Sequence, residues 1–566
     1  MREIVHDVDF CVVGGGIAGL CAAVSAARKG VRVAIMQDRP MFGGNASSEI
    51  RMWICGSQLK DTRETGLLEE IFLDNFYCNP SYSFSIWDTV LFEKVMLEKN
   101  IEMILNCSCL DCEMEKNTIK SIKGWQTTTQ SYHKVRARYY ADCSGDSILA
   151  PLSGAEFMLG RESKDQFDES IAPDSADKKT MGMSCLLQAR ETLKPQKFVP
   201  PSWAYKYETD ADLPDTGHLN DAVNNYWWIE LGGDKDSIAD TEELRNELLK
   251  IVFGVWDHVK NKGDHGAENW VLDWVGLLPG KRESRRYIGD VIITQNDVEA
   301  GGKYDDIVAY GGWSMDNHFP EGFYFKPGCN TVTIQHPVKQ AWGIPWRSLY
   351  SRNISNLLFA GRNISATHVT LSSSRVMATC GIIGQAVGTG VAQAIADNTD
   401  IRKIDIHKLQ QTLLWDDCYL PNVGRDLSDL TKNAHINAEI VRNGRDRGEK
   451  NLWIAKKGDF LEYTFEKACY VNKVRIIFDS NLSRDYRNMP CNFPLEEKNL
   501  KLPETLIKDY IIAYILEDGS KEQINVENSH RRFMVHDINK SVKSIRLIPK
   551  STWGDRCFRI FDFEIF

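Results

Sequence analysis

The chain has no surplus of positive charge: 68 Lys and Arg stand against 78 Asp and Glu in 566 residues, for a net charge of −10. With a pI near 5.7, no basic surface is available to track a phosphate backbone, which sets nucleic acid aside and argues against docking on an anionic membrane. There is no internal repeat and no low-complexity linker. The opening MREIVHDVDFCVVGGG lacks a basic n-region, an apolar h-region and a small-residue cleavage site, so no signal peptide is expected. Long apolar runs are scarce. Residues 8–27 alone imitate a membrane span, and the glycine triplet inside a strand-then-helix pattern favours a soluble reading. The cysteines number 15, an odd count, and sit in apolar runs such as DFCVV, MSCLL and ATCGII. Buried thiols in a reducing compartment, hence a cytoplasmic location, are the expectation. Cys107, Cys109 and Cys112 cluster in ILNCSCLDCEM, but the first two face one side of a strand-like run and no fourth ligand sits nearby. They are expected to be structural, and no metal is expected.

What is present is a globular composition, 43% apolar and 26% charged, long enough for about three domains. Strand-like and helix-like segments alternate over roughly residues 1–425, the α/β pattern. Within that part, about 165–345 is less regular and carries Trp203, Trp227, Trp228, Trp256, Trp270, Trp274, Trp313 and Trp342. Most of these rings are expected to pack a core, and a few to wall an inserted, substrate-facing region. Over 427–566 the texture changes to short β-rich runs, DFLEYTF, VNKVRIIF, YIIAYIL, KSIRLIP and FRIFDFEIF, which predict an all-β sandwich.

Four separated pieces point to a dinucleotide. VDFCVV reads as a strand, Gly14-Gly15-Gly16-Ile17-Ala18-Gly19 as its turn, LCAAVSAARKG as a helix and VRVAIM as a second strand. Inside such a unit, Gly14 permits the tight turn, Gly16 lets a pyrophosphate approach the backbone and Gly19 lets helix and strand pack closely, with the anion on the helix N-terminus. The second strand ends at Gln37 and Asp38, where an acidic residue usually takes the ribose hydroxyls, and a glutamine can hydrogen-bond two hydroxyls. Next come Arg39 and the small polar turn Gly43-Gly44-Asn45 through Ser48, then Ser144-Gly145-Asp146 in YYADCSGDS. The last piece, FAGRNISATHVTLSSSRVMATCGIIGQAVGTG, holds Gly361, Arg362, Met377 and Ala378. There Gly381, Gly384 and Gly388 form one smooth helical stripe suited to packing on the first glycine turn.

The chain resembles the FAD-dependent oxidoreductase family whose members carry GGNASSEIRM after the second strand, and more distantly the fumarate reductase and L-aspartate oxidase flavoproteins. The matching pieces are GGNASSEIRMW (43–53), ADCSGD (141–146), PGKRESRRYIGD (279–290), IPWRSLY (344–350) and AGRNISATHV…SRVMATCGIIGQAVG (360–388), spread over about residues 8–396. The resemblance implies a Rossmann-like FAD-binding domain, with GGNASS running along the ribityl chain and ADCSGD returning to the cofactor. It also implies non-covalent FAD, because GGNASSEIRM offers no histidine for attachment. The tail is similar to discoidin-like, galactose-binding-like sandwiches, which implies carbohydrate as a partner.

For chemistry, the resemblance places Arg51 near the flavin ring and aligns His368 and Arg375 with a histidine and an arginine of the distant relatives. His368, expected in a short loop between cofactor-touching segments, is the first choice for general acid or base, with His318 second. KRESRR puts Arg282, Arg285 and Arg286 around Glu283, a fixed cluster that could bind a carboxylate or bridge domains. The expected activity is dehydrogenation of a small hydroxylated molecule, a sugar, glycoside or polyol, by hydride transfer to flavin N5. The alternatives are reduction of an activated C=C bond in a carboxylic acid, or carbohydrate binding with a structural FAD.

Overall fold

In the computed structural model, residues 1–214, 225–262, 264–325, 332–484, 487–496 and 501–566 are described. Part of the region expected as an insertion, 215–224, 263 and 326–331, lies outside them. Contacts divide the chain into two units: Met1–Ser57, Tyr82–Ile404 and Tyr486–Asn499 form the first, and Gln58–Ser81, Asp405–Asp485 and Leu500–Phe566 the second.

The first unit is built on a parallel sheet. Its strands are β1 (Phe10–Val13), β2 (Val33–Met36), β3 (Ile101–Ile104), β4 (Tyr139–Asp142) and β5 (Leu357–Phe359), in the order β5-β4-β1-β2-β3. FCVV and VAIM are buried at every residue, as parallel strands covered on both faces must be. Helix α1 (Ile17–Arg28) joins β1 to β2 and is buried from Ile17 to Ala27. The inserted region contributes α2 (Thr241–Asp257) and a cluster of buried apolar side chains that includes Trp228, Trp256 and Trp270. Two further helices follow β5: α3 (His368–Ser374) and α4 (Met377–Ala396).

Helix α4 crosses α1 through its glycines. A Cβ on Gly384 would stand 2.0 Å from the Ala18 carbonyl oxygen, and one on Gly388 2.1 Å from that of Ala22. The small-residue stripe therefore lies along α1 as well as at the first glycine turn. Besides residues 8–27, α4 is itself long and apolar enough to cross a membrane, but 94% of its apolar window is buried inside the unit.

Cys107 opens a strand, Cys107–Glu115, of a separate four-stranded sheet. Burial pushes the thiols of Cys107 and Cys112 up to about 12. Protonated thiols of this kind are poor metal ligands.

The second unit is the all-β sandwich, with helices from two earlier stretches. Its strands β6 (Leu461–Phe478), β7 (Ile507–Leu516), β8 (Phe533–Thr552) and β9 (Phe558–Ile565) belong to one hydrogen-bonded set of seven. Bulges interrupt the pairing of β6 with β8, so both long strands bend. The Tyr463 ring packs on Phe563 across the interior at 5.4 Å.

The units do not follow a single cut near residue 425. Helix Leu67–Cys78 joins the second because Glu69 accepts from Arg484 at 2.6 Å and Asp74 pairs with Arg531 at 2.6 Å. Residues near 490 join the first through backbone amides: Ile54 N–H donates to Asn488 at 2.8 Å, and Ala189 N–H to Asn492 at 2.8 Å.

Candidate functional site

A cavity of about 500 Å³ opens where β1, β2 and β4 end. Gly14, Gly16, Ile17 and Ala18 form one wall, and Gln37, Asp38, Arg39, Gly43, Gly44 and Asn45 the next. Ser144, Gly145 and Asp146 close a third side, and Gly361, Arg362 and Met377 a fourth. The four sequence pieces thus meet in one place, at the carboxyl ends of parallel strands.

The first turn needs its glycines. Gly14 has φ +100, and a Cβ there would lie 2.5 Å from the Cys143 carbonyl oxygen. Gly16, by contrast, would meet only the Gly44 Cα, at 4.0 Å, so its missing side chain leaves open cavity. Gly16 also caps α1 without any side-chain hydrogen bond, leaving the helix amides and dipole turned to the space. Gly19 does not line the cavity: a Cβ on it would stand 1.9 Å from the Gly14 carbonyl oxygen, so it seats the helix on the turn.

Gln37 departs from the expectation of a hydroxyl-binding amide. Its Oε1 accepts from Gly15 N–H at 2.7 Å, and its Nε2 donates to the Met41 carbonyl at 3.2 Å. That side chain ties the glycine turn to the next segment, and Asp38 is the carboxylate left to face a sugar ring. Ser48 and Ala378 also fall outside the lining. Ser48 N–H donates to Asp88 at 3.0 Å, and Ala378 N–H to the Cys55 carbonyl at 2.9 Å.

Asp146 carries a clamp. Lys281 Nζ donates to its Oδ2 and Arg362 Nη2 to its Oδ1, both at 2.8 Å. Desolvation works to raise this carboxyl, but Arg362 and Lys281 outweigh it and hold it low. Two cations on one carboxylate leave a net positive edge, and Arg362 Nε has no hydrogen-bond partner among the described residues.

KRESRR divides its side chains among three tasks. Lys281 and Arg282 line the cavity. Ser284 Oγ donates to Asp146 at 2.9 Å and Arg285 Nη1 to the Asp146 carbonyl at 3.2 Å. Arg285 therefore supports the clamp from behind and does not line the cavity, contrary to its expected catalytic place. Glu283 and Arg286 turn into the protein, where Glu283 accepts from His368 Nδ1 at 2.9 Å and Arg286 pairs with Glu162 at 2.9 Å.

His368 is therefore placed differently from the expectation. It is the first residue of α3, not a loop residue, and does not line the cavity. Its own amide donates to Glu162 at 2.8 Å. Glu283 is held low, against its burial, by His368 and Arg286. The group is a buried ionic knot that fixes the start of α3.

Arg51 also stands apart. Its guanidinium lies between the rings of Phe84 and Trp274, 4.4 Å from each, and donates to Gln188 Oε1 at 2.8 Å. Burial lowers it to about 10. It does not line the cavity, and it fastens its own segment in a left-handed turn at φ 60.

The far wall is Ser184, Trp227, Arg282 and Arg375. Arg282 Nη2 donates to Ser184 Oγ at 2.9 Å and to the Trp227 carbonyl at 2.8 Å. Behind Arg375 sits His318, whose Nδ1 is 2.6 Å from Glu230 and whose Nε2 is 2.8 Å from Arg375 Nη2. A guanidinium only donates, so Nε2 accepts and the ring proton sits on Nδ1, donated to Glu230. Asp316 Oδ2 waits 3.2 Å from the same Nε2. Burial would raise Glu230 and Asp316, but the guanidinium groups of Arg282 and Arg375 beside them help hold both low. Ser184 was invisible as a site residue, since MSCLL reads as core, whereas Trp227 is among the tryptophans of which a few were expected to form such a wall.

A glycine turn on a parallel strand, an uncapped helix and a positive clamp define a dinucleotide-binding oxidoreductase. The open face of Gly16 and the unpartnered Arg362 Nε fit the pyrophosphate of FAD. Residues 9–413 match the family described as FAD dependent oxidoreductase, and the chain belongs to that family. FAD is its cofactor, and it is an enzyme.

No curated protein matches the sequence. Among solved structures it is similar to a geranylgeranyl bacteriochlorophyll reductase-like protein from Thermoplasma acidophilum, at 12% identity over 73% of this chain and 86% of that one, with TM-score 0.33. It is also similar to the flavin-dependent monooxygenase PieE, solved with FAD and substrate, at 11% identity over 70% and 59%, with TM-score 0.33. A third similarity is to CBM32-1 of a family 31 glycoside hydrolase from Clostridium perfringens, at 11% identity over 24% and 95%, with TM-score 0.18.

Proposed function

We propose that this FAD-dependent oxidoreductase dehydrogenates a hydroxylated small molecule, a sugar, glycoside or polyol, held at the far wall of the cavity. The observation that carries the reading is that wall itself: Trp227, Ser184, Arg282 and Arg375 all line the cavity, and Arg282 is bonded to Ser184 and to the Trp227 carbonyl. An indole face suits the C–H face of a hydroxylated ring, and guanidinium groups suit its oxygens. FAD, when bound, accepts the hydride from the carbinol C–H bond. Arg282, pinned by Ser184 and the Trp227 carbonyl, meets the negative charge that gathers on the substrate oxygen.

The hydroxyl proton passes to His318 Nε2 once Arg375 Nη2 moves off that nitrogen, because His318 stands behind Arg375 and does not itself line the cavity. Glu230 fixes the Nδ1–H, so Nε2 is the basic nitrogen. Uptake of the proton ends its acceptance from Arg375 and gives Asp316 Oδ2 a donor in its place. His318 takes the acid–base role assigned first to His368, and Arg375 becomes the residue that shields it from the cavity.

The test is anaerobic mixing with a panel of sugars, glycosides and polyols while the visible flavin band is followed. Bleaching by at least one is expected. His318→Gln should keep its FAD and slow bleaching on the order of 10²-fold. An unchanged rate removes His318 from the reaction.

A second reading, reduction of an activated C=C bond in a carboxylic acid, rests on the same guanidinium pair, which also matches a carboxylate. Reoxidation of photoreduced enzyme by unsaturated acids, with no bleaching by the hydroxylated panel, would establish it instead.

A further inference from the structure

We propose that the inserted region carries a divalent transition-metal site formed by Asp210, His258 and His265. Among the described residues, these are the one group of three His, Cys, Asp or Glu whose ligand atoms converge. His258 Nε2 lies 2.9 Å from Asp210 Oδ1 and 3.1 Å from His265 Nε2, and His265 Nε2 lies 3.4 Å from Asp210 Oδ1. Around a tetrahedral zinc with bonds of about 2.0–2.1 Å, ligand atoms stand roughly 3.3–3.4 Å apart. The triangle is already near that size, and slight outward motion of the side chains admits the ion.

The tautomer of His258 is the one a metal ligand needs. His258 Nδ1 is 3.1 Å from the Tyr207 carbonyl, which only accepts, so Nδ1 carries the proton. In the neutral ring Nε2 is then a lone pair, facing a carboxylate oxygen that is also an acceptor. His265 Nε2, 3.1 Å away, can carry the proton shared with that lone pair, and moving it to His265 Nδ1 lets both rings and the carboxylate donate to one metal ion. Histidine ligands are held this way, by a carbonyl on the second ring nitrogen.

The frame around the triangle is fixed. His258 opens a π-helical turn, His258–Lys262, directly after α2, a distortion that redirects side chains and recurs at functional sites. Lys260 Nζ donates to the carbonyls of Ala267 and Glu268 at 2.6 and 2.7 Å, which ties down the loop carrying His265. Asp210 starts a short turn closed by a capping box between Thr209 and Asp212. The two imidazoles are buried, with side chains 1% and 5% exposed, while Asp210 is 66% exposed, so ions enter past the carboxylate.

Two imidazoles and a carboxylate select borderline ions of the zinc kind over calcium or magnesium, which prefer all-oxygen shells. The site is separate from the redox chemistry. Thr241 and Glu242, at the start of α2, line the FAD cavity, and His258 follows its end. The 17 residues of α2 span about 25 Å at 1.5 Å each. The ion would join three separate stretches of the inserted region.

The experiment uses FAD-loaded enzyme stripped with EDTA and titrated with Zn²⁺ alone. Wild type should take up one ion per chain beyond the background shown by His258→Ala/His265→Ala, with an unchanged flavin spectrum. Exposed Asp210→Asn should weaken that ion at least about tenfold, since even a partner behind a metal ligand is worth that much. Zn²⁺ should raise the melting temperature of wild type but not of Asp210→Asn. If the double variant loses its FAD, Asp210→Asn alone decides. Equal Zn²⁺ uptake and equal melting shifts in wild type and variant overturn the proposal.

Discussion

His318 and His368 are both buried and both held by a glutamate, and they differ in what lies beyond the ring. His318 meets Arg375, which lines the cavity, whereas the His368 contacts all belong to the knot of Glu162, Glu283 and Arg286. Glu283 is the centre of that knot, and Glu283→Gln should cost about 3 kcal/mol at neutral pH, as breaking a buried pair does. Its folded-state pKa is depressed by His368 and Arg286, so the unfolded chain binds the proton first as pH falls. The stability Glu283 supplies is therefore complete above its unfolded value, about 4.3, and drains below it. Urea unfolding of wild type and variant should give curves that differ at pH 7 and converge below pH of about 4. A constant gap would show that the charge of Glu283 plays no part. Both histidines were read as acid–base candidates, but their ranking was not legible in sequence, because the partners are tertiary: Glu283 lies 85 residues before His368, and Glu230 lies 88 before His318. The glycines of the first turn were legible, because a backbone that must bend to positive φ or leave space for a ligand restricts the residue itself.

At the scale of elements, the site depends on how α4 lies on α1. The α1 N-terminus meets the cofactor space, and its axis is set by contact of Gly384 and Gly388 with the carbonyls of Ala18 and Ala22. Backbone oxygens cannot rotate away as side chains can. Gly384→Ala should therefore lower stability by about 1–3 kcal/mol, the usual range for overpacking, and release FAD by tilting α1. Gly424→Ala, where an added Cβ meets nothing within 4 Å, is the control. FAD content per chain and melting temperature read both effects, and full FAD retention in Gly384→Ala would separate the helix contact from the site. The stripe itself was readable from spacing. The break that makes α3 and α4 separate helices was not, since Arg375 and Val376 carry no helix-breaking signal. The hydrogen bonds that commit Gln37 to the backbone were hidden for a similar reason: a glutamine at a strand end looks the same whether it faces a ribose or a glycine turn.

Across the whole molecule, sequence texture located the α/β and all-β parts, but not the pieces that each unit borrows from elsewhere in the chain. Helix Leu67–Cys78 is held by ion pairs from its buried Glu69 and Asp74 to Arg484 and Arg531, more than 400 residues later, and periodicity carries no trace of such pairing. The attachment of FAD is a property of the complete site, and every lining residue bears on it. GGNASSEIRM has no histidine, and among the described residues the assembled cavity wall has neither histidine nor tyrosine. Its thiols are the remaining nucleophiles. Burial pushes Cys107 and Cys380 up to about 12 and also raises Cys109 and Cys143, so these stay protonated and unreactive at neutral pH. FAD should therefore be bound without a covalent link. Acid precipitation should release all the yellow colour into the supernatant, and the intact mass of the pelleted chain should match the 64.3 kDa polypeptide. Colour retained in the pellet, with the mass raised by one flavin, would mean that one of these thiols is activated when the cofactor fills the cavity.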